Sequence, residues 1–223
     1  MIAYGTGPAF PSPTTLGPPN RGAQFFWGGS AATISAAAQT VNISAAAQVI
    51  DASLAAYALS GYLGGFQDDT ASATFSAAFL GANGTPLATA TIGPVTAATR
   101  TNTTCLLPKA ASGFLPVGTR QIRFQLLCTS GSGTSIDAFA DNLAFQLTPY
   151  AVPQLAISLN SPTNVVISWP ALLRFPFVLQ TTSKLPPTAG WSAVTNIPVT
   201  IGDRLVVTNR FDSPRRFYRL RSP

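Results

Sequence analysis

The sequence contains no histidine and no glutamate, and its seven carboxylates are all aspartates: Asp51, Asp68, Asp69, Asp137, Asp141, Asp203 and Asp212. Histidine is the commonest general acid–base residue and the commonest imidazole metal ligand. Its absence excludes Ser–His–Asp and Cys–His catalysis, together with zinc sites that need imidazole. The two cysteines, Cys105 and Cys128, cannot build a four-thiolate zinc site. Charged residues make up only 9% of the chain, against the roughly 25% of ordinary soluble domains. Yet no apolar run approaches the ~20 residues that a spanning helix needs, so no membrane span is expected. Met1 to Tyr4 has neither the basic region nor the apolar stretch of a secretory signal. No Gly-rich phosphate loop ends in Lys-Ser or Lys-Thr. These absences leave open a carboxylate pair or an oxygen-ligand cation site of the calcium type, and the chain is expected not to be an enzyme.

What is present is apolar and small. Hydrophobic residues are 46% of the 223, enough for a sizeable core, and glycine and proline number 18 and 19. The charge is uneven. Residues 1–149 carry five basic residues against five Asp, whereas residues 150–223 carry eight against two, so the whole net charge of +6 sits in the last third. That asymmetry points to two units.

The patterning is that of strands. Residues 5–22 are punctuated by glycine and proline and read as a loop. Ala71, Ala73, Phe75, Ala77 and Phe79 alternate with Ser72, Thr74 and Ser76. Asn83-Gly84 then separates this run from Leu87–Val95, a strong hairpin signal. Ile122, Phe124, Leu126 and Cys128 share one face of the next run. Phe139, Asp141, Leu143, Phe145 and Leu147 share one face of another. Pro149 to Pro153 reads as a linker. Beyond it, Val165–Trp169, Phe177–Gln180, Trp191–Val194, Arg204–Thr208 and Arg216–Leu220 are shorter strand candidates at sandwich spacing. Only Ser44–Ala56 suggests a short helix or turn.

Several stretches then carry a resemblance. Phe25-Phe26-Trp27-Gly28-Gly29, Gln39-Thr40-Val41-Asn42-Ile43-Ser44, Leu59-Ser60-Gly61-Tyr62-Leu63-Gly64-Gly65-Phe66, Ile92-Gly93-Pro94-Val95, Pro116-Val117-Gly118-Thr119-Arg120 and Ala140-Asp141-Asn142-Leu143 resemble, in order, bacterial jelly-roll domains of the galactose-binding-like, F-box-associated type. Similar domains start with an Asn-Gly-x-Glu-like strand and a Trp-containing segment. Both are missing here, so the first domain (1–149) is expected to lack its first strand. Val165-Val166-Ile167-Ser168-Trp169-Pro170, Phe177-Val178-Leu179-Gln180-Thr181-Thr182, Trp191-Ser192-Ala193-Val194 and Arg216-Phe217-Tyr218-Arg219-Leu220 resemble the C-terminal modules of secreted proteins from Verrucomicrobia-like bacteria. The resemblance implies an immunoglobulin- or fibronectin III-like sandwich over 153–223. The expected fold is therefore all-β, a jelly-roll sandwich followed by a smaller immunoglobulin-like one, in an extracellular or cell-surface protein.

Candidate sites follow from residue chemistry. A carboxylate on a core face must be paired, coordinated or protonated. The resemblance implies that Asp141, with Asp137, helps to hold a structural Ca2+; the alternative is a carboxylate capped by backbone N–H groups. Trp27 and Tyr62 are candidate sugar platforms, or else core. Asp68 and Asp69 could bind sugar hydroxyls or a cation, or form a solvated loop. Adjacent residues point apart on a strand, so they are a poor acid–base pair for glycoside hydrolysis. Cys105 and Cys128 lie at equal distances from a turn centred between Pro116 and Val117. They would face each other across one regular hairpin as a disulfide, or remain two buried thiols. Arg210, Arg215, Arg216, Arg219 and Arg221 form a basic stripe or a charge-protected edge, and nothing resembles a nucleic-acid motif. Two functions fit. One is a non-catalytic carbohydrate- or surface-binding protein whose partner is a glycan or cell-surface polysaccharide. The other is a structural subunit that self-assembles through strand edges.

Overall fold

A computed structural model describes residues 1–30, 32–131, 135–151, 153–171, 176–185, 190–210 and 215–221. The chain is all-β, with antiparallel sheets, and divides into two compact units, Met1–Thr148 and Pro149–Pro223.

The first unit runs β1 (Ile2–Ala3), β2 (Gln24–Gly29), β3 (Ile34–Asn42), a 3-10 turn at Ser44–Ala46, α1 (Ala47–Asp51), β4 (Ala55–Gly65), β5 (Ser72–Leu80), β6 (Pro86–Ile92), β7 (Cys105–Phe114), β8 (Gln121–Thr129) and β9 (Ile136–Pro149). One sheet has the order β1-β2-β9-β4-β7 and the other β3-β8-β5-β6. The two inner faces share one core, built from Leu59, Leu63, Ala138 and Ala140 of the first sheet and Phe75, Phe79, Ile122 and Leu126 of the second. The expected hairpin is present: β5 pairs with β6 around Asn83 and Gly84, whose φ of +80° is one that glycine adopts without cost. The expected alternation of β5 and β8 holds, with Ala71, Ala73, Phe75, Ala77, Phe79, Ile122, Leu126 and Cys128 all buried and Phe124 packed against them.

Along β9 the expected alternation fails. Ile136, Ala138 and Ala140 face the shared core, while Phe139 points the other way and packs on Phe25 and Leu106. Beyond Asn142 the phase is reversed, and Leu143, Phe145 and Leu147 turn toward the core. Asn142 has φ +47°, the left-handed region that Asn tolerates better than most residues. Phe139 and Asp141 therefore do not share a face with Leu143. A shift of one residue turns every later side chain to the opposite side.

The second unit has β10 (Ala156–Ser161), β11 (Asn164–Pro170), β12 (Val178–Thr182), β13 (Ser192–Ala193), β14 (Val199–Ile201), β15 (Arg204–Arg210) and β16 (Phe217–Arg221). They form sheets of order β10-β11-β15-β14 and β13-β12-β16. Val165, Ile167, Trp169, Leu179 and Val207 make its core. The run Pro149–Pro153 is strand at its start, because β9 continues to Pro149; Val152 lies outside the described residues, as does Asp212.

Candidate functional site

The first unit has one open side, and the sequence before β2 explains it. β2 pairs with β9 at Phe26↔Ala140 and Trp27↔Phe139. Extending that register backward would lay residues 18–23 along β9. Pro18 and Pro19 cannot donate to a ladder, so the chain leaves instead. Arg21 fastens the departing loop through hydrogen bonds to the carbonyls of Ser12, Thr15 and Pro18. Among the described residues, no strand pairs with this edge of β9 beyond Ala140.

The consequence is an apolar cleft of about 610 Å³ between the sheets. Its walls are Leu143, Phe145 and Leu147 of β9 with Phe26 on one side, and Phe124, Ala37, Gln39 and Val41 on the other; no lining residue is ionisable. Phe145 meets Phe124 at 5.1 Å between ring centroids and stacks on Tyr57 at 5.8 Å. β3 flanks the cleft and is exposed along nearly its whole length, and among the described residues it pairs with β8 alone. An exposed strand edge normally carries charge or proline, or is short. On the far side of the sandwich, β6 begins at Pro86 and β7 holds Pro108 and Lys109. On the open side, Ile34–Asn42 and residues 142–148 contain no charge and no proline. The sequence showed β3 to be uncharged but not that it forms an edge.

The expected metal ligands are not brought together. Asp137 and Asp141 are four strand residues apart, about 13 Å at the usual rise. Asp137 accepts a hydrogen bond from Ser135 Oγ at 2.9 Å. Asp141, only 8% exposed, accepts from the Tyr4 hydroxyl at 2.7 Å and from the Asn142 N–H at 2.8 Å. A calcium ion takes six to eight oxygens, and this donor set does not fit one. Among the described residues, no three candidate metal-ligating side chains converge. Burial, and then the Asp141 carboxylate, push the Tyr4 phenol well above its ordinary value.

Trp27 and Tyr62 are not exposed platforms. They pack with Ile2, Tyr4, Phe10 and Phe66 around buried Phe25, Leu106 and Phe139, where the N-terminal segment covers the outer face of the first sheet. Phe10 meets Trp27 edge-on at 5.1 Å.

Asp68 and Asp69 part company. Asp69 Oδ1 accepts from the Ala71 N–H at 2.6 Å, a turn cap. Asp68 is exposed and lines an open polar depression with Gln67, Asn102, Thr103 and Thr104. Sequence reasoning missed the residue that builds this region. Arg100 is fully buried, and its guanidinium donates to the carbonyls of Val95, Phe66, Gln67 and Asp69. It ties the 66–69 loop to the 95–102 loop. Gln67, Thr101 and Asn102 all have positive φ there.

Cys105 and Cys128 are buried free thiols. The expected hairpin between them does not form, because β7 and β8 lie in different sheets. β7 pairs with β4, and β8 with β3 and β5. Burial pushes the Cys128 thiol up to about 11.

In the second unit Arg219 and Arg221 are exposed on edge strand β16, while Tyr218 and Leu220 pack inward. The Arg219 guanidinium sits 4.5 Å from the Trp191 ring centroid and donates to Gln180 Oε1.

No protein-family model matches the sequence, and a comparison with curated proteins gave no match. Among solved structures the chain is similar to dimeric latent PorU from Porphyromonas gingivalis, at 10% identity and a TM-score of 0.26. That match covers 88% of this chain and 18% of the other, so the chain spans less than a fifth of that protein's length. Likeness at this level carries no argument about function. No helix among the described residues is long and apolar enough to cross a membrane.

Proposed function

We propose that the first unit is a non-catalytic strand acceptor, which takes an extended, uncharged peptide segment along the free edge of β9. One observation carries this reading: an apolar cleft flanked by an unpaired backbone edge and lined by no ionisable group. A small apolar molecule could fill the cleft but would leave the β9 backbone groups to water. A peptide strand with apolar side chains at alternate positions satisfies both. The order β2-β9-β4-β7 over β3-β8-β5-β6 supports a jelly-roll reading of this unit, with β2 as a half-length first strand. The two small sheets of the second unit support an immunoglobulin-like one. Placement outside the cell rests on the sequence resemblance.

The test is fluorescence anisotropy of a labelled nine-residue peptide of alternating Thr and Val, with a scrambled control, against the intact chain. Amide exchange is followed on residues 142–148. Selective binding of the alternating peptide, with protection of β9 and loss in Phe145→Lys, supports the reading. Equal or absent binding of both peptides removes it.

A second reading places a hydroxylated ligand such as a glycan in the polar depression at Asp68, Asn102, Thr103 and Thr104. It is favoured by the cluster of non-glycine residues in positive φ, since such conformations concentrate at binding sites. A glycan array in which Asp68→Ala and the parent chain give the same empty result would discard it.

A further inference from the structure

We infer that β3 is a self-association edge, pairing antiparallel with β3 of a second copy about a two-fold axis at Ala38. The inference rests on the same open side of the sandwich as the strand-acceptor reading, but on the other of its two edges.

Four features of the first unit lead to it. First, β3 is, among the described residues, the longer of the two edges that the unit leaves without charge or proline, the other being β9 beyond Ala140. It holds an unbroken nine-residue register with β8, from Ile34↔Thr129 to Asn42↔Gln121, and offers its other side to solvent. β1 has only two residues, β6 opens on a proline and shifts register against β5, and β7 carries Pro108 and Lys109. Second, the segment is self-complementary. Centred on Ala38, an antiparallel pair sets Ala36 against Thr40 of the partner subunit, and Ile34 against the partner's Asn42. No charge meets a like charge, and the middle of the strand is three alanines, Ala36, Ala37 and Ala38. Third, residues 1–149 are electrically neutral, so two copies of this unit do not repel each other over distance. Fourth, Ile34 is 64% exposed at the strand end, where the partner's backbone would cover it.

The pairing is isologous, since one patch meets itself, and it closes at two copies. It joins the two sheets led by β3 into one continuous sheet. The partner copy pairs with β3 and not with β9, so dimerisation and strand capture use different edges.

Small residues at the axis make the test direct. Directly opposed residues of an antiparallel pair have Cβ atoms about 4.5–5.5 Å apart, near the reach of a disulfide. Ala38→Cys in the full chain should therefore form a covalent dimer under mild oxidation. Ile34→Cys, which faces the partner's Asn42 and not its own twin, should not. Sedimentation of the parent chain across a hundredfold concentration range should show a monomer–dimer equilibrium. Thr40→Lys, whose side chain points away from the cleft, should shift it at least tenfold toward monomer. Circular dichroism of Thr40→Lys guards against misfolding. The inference is overturned by a monomer at every concentration, by equal cross-linking of the two cysteine variants, or by a dimer that Thr40→Lys leaves untouched. Failure here alongside selective peptide binding would leave the strand-acceptor reading standing. Success here without peptide binding would do the reverse.

Discussion

The hydroxyl of Tyr4 donates to Oδ2 of Asp141 at 2.7 Å, joining residues 137 apart in the sequence. The bond gives a buried carboxylate its side-chain donor and pins the N-terminal segment to β9. Tyr4→Phe keeps the ring and leaves Asp141 with the Asn142 N–H. The expected cost is about 1–3 kcal/mol, read by urea denaturation. The raised phenol adds a pH signature. A group whose folded pKa lies above its unfolded value near 10 stabilises fully below that value and loses the contribution as pH rises through it. The parent chain should lose stability above about pH 10 more steeply than Tyr4→Phe. Parallel alkaline curves would contradict this.

Arg100 holds four carbonyls with one guanidinium. Arg100→Met should remove the tie between the two loops and cost about 2–4 kcal/mol in thermal or chemical unfolding. Arg100→Lys keeps the charge but not the fork, and should recover less than half of the loss. Full recovery by lysine would mean that the charge, not the geometry, matters.

Both thiols are buried and that of Cys128 is pushed up, so neither should react readily. A maleimide or aromatic disulfide reagent at pH 8 should label essentially no thiol in the native chain and both in denaturant. A native mass two daltons low, with no thiol released on unfolding, would instead reveal a bond between them.

The cleft should bind the dye ANS in the native state, because Phe145 and Leu147 are only partly covered. Phe145→Ser should lower that fluorescence severalfold at modest cost in stability, since a partly buried ring loses less than the roughly 3–5 kcal/mol of a fully buried one. Unchanged fluorescence would put the dye elsewhere.

Some of this molecule was legible in its sequence. The faces of β5 and β8 could be read because both strands alternate without interruption beneath one core. β9 misled because its apolar residues keep a period of two on paper, while one left-handed residue, Asn142, reverses the phase in space. Cys105 and Cys128 misled for a topological reason. The six residues from Leu115 to Arg120 suit a hairpin loop as well as they suit a crossing between sheets. β14 escaped notice because it is three residues long. Arg100 is a lone basic residue among Thr and Ala, and nothing nearby in the sequence names the carbonyls it binds. The cleft depends on a strand that stops short, which composition shows only as Pro18-Pro19 ahead of Gln24.

The place of β2 sets a timetable. It hydrogen-bonds to β1 and β9, and β9 emerges from synthesis about a hundred residues after it. At roughly 5–20 residues per second, Phe25, Trp27 and Phe10 wait on the order of 5–20 s for the strand that will bury them. During that interval these rings stay uncovered on the nascent chain, open to association with other apolar surface.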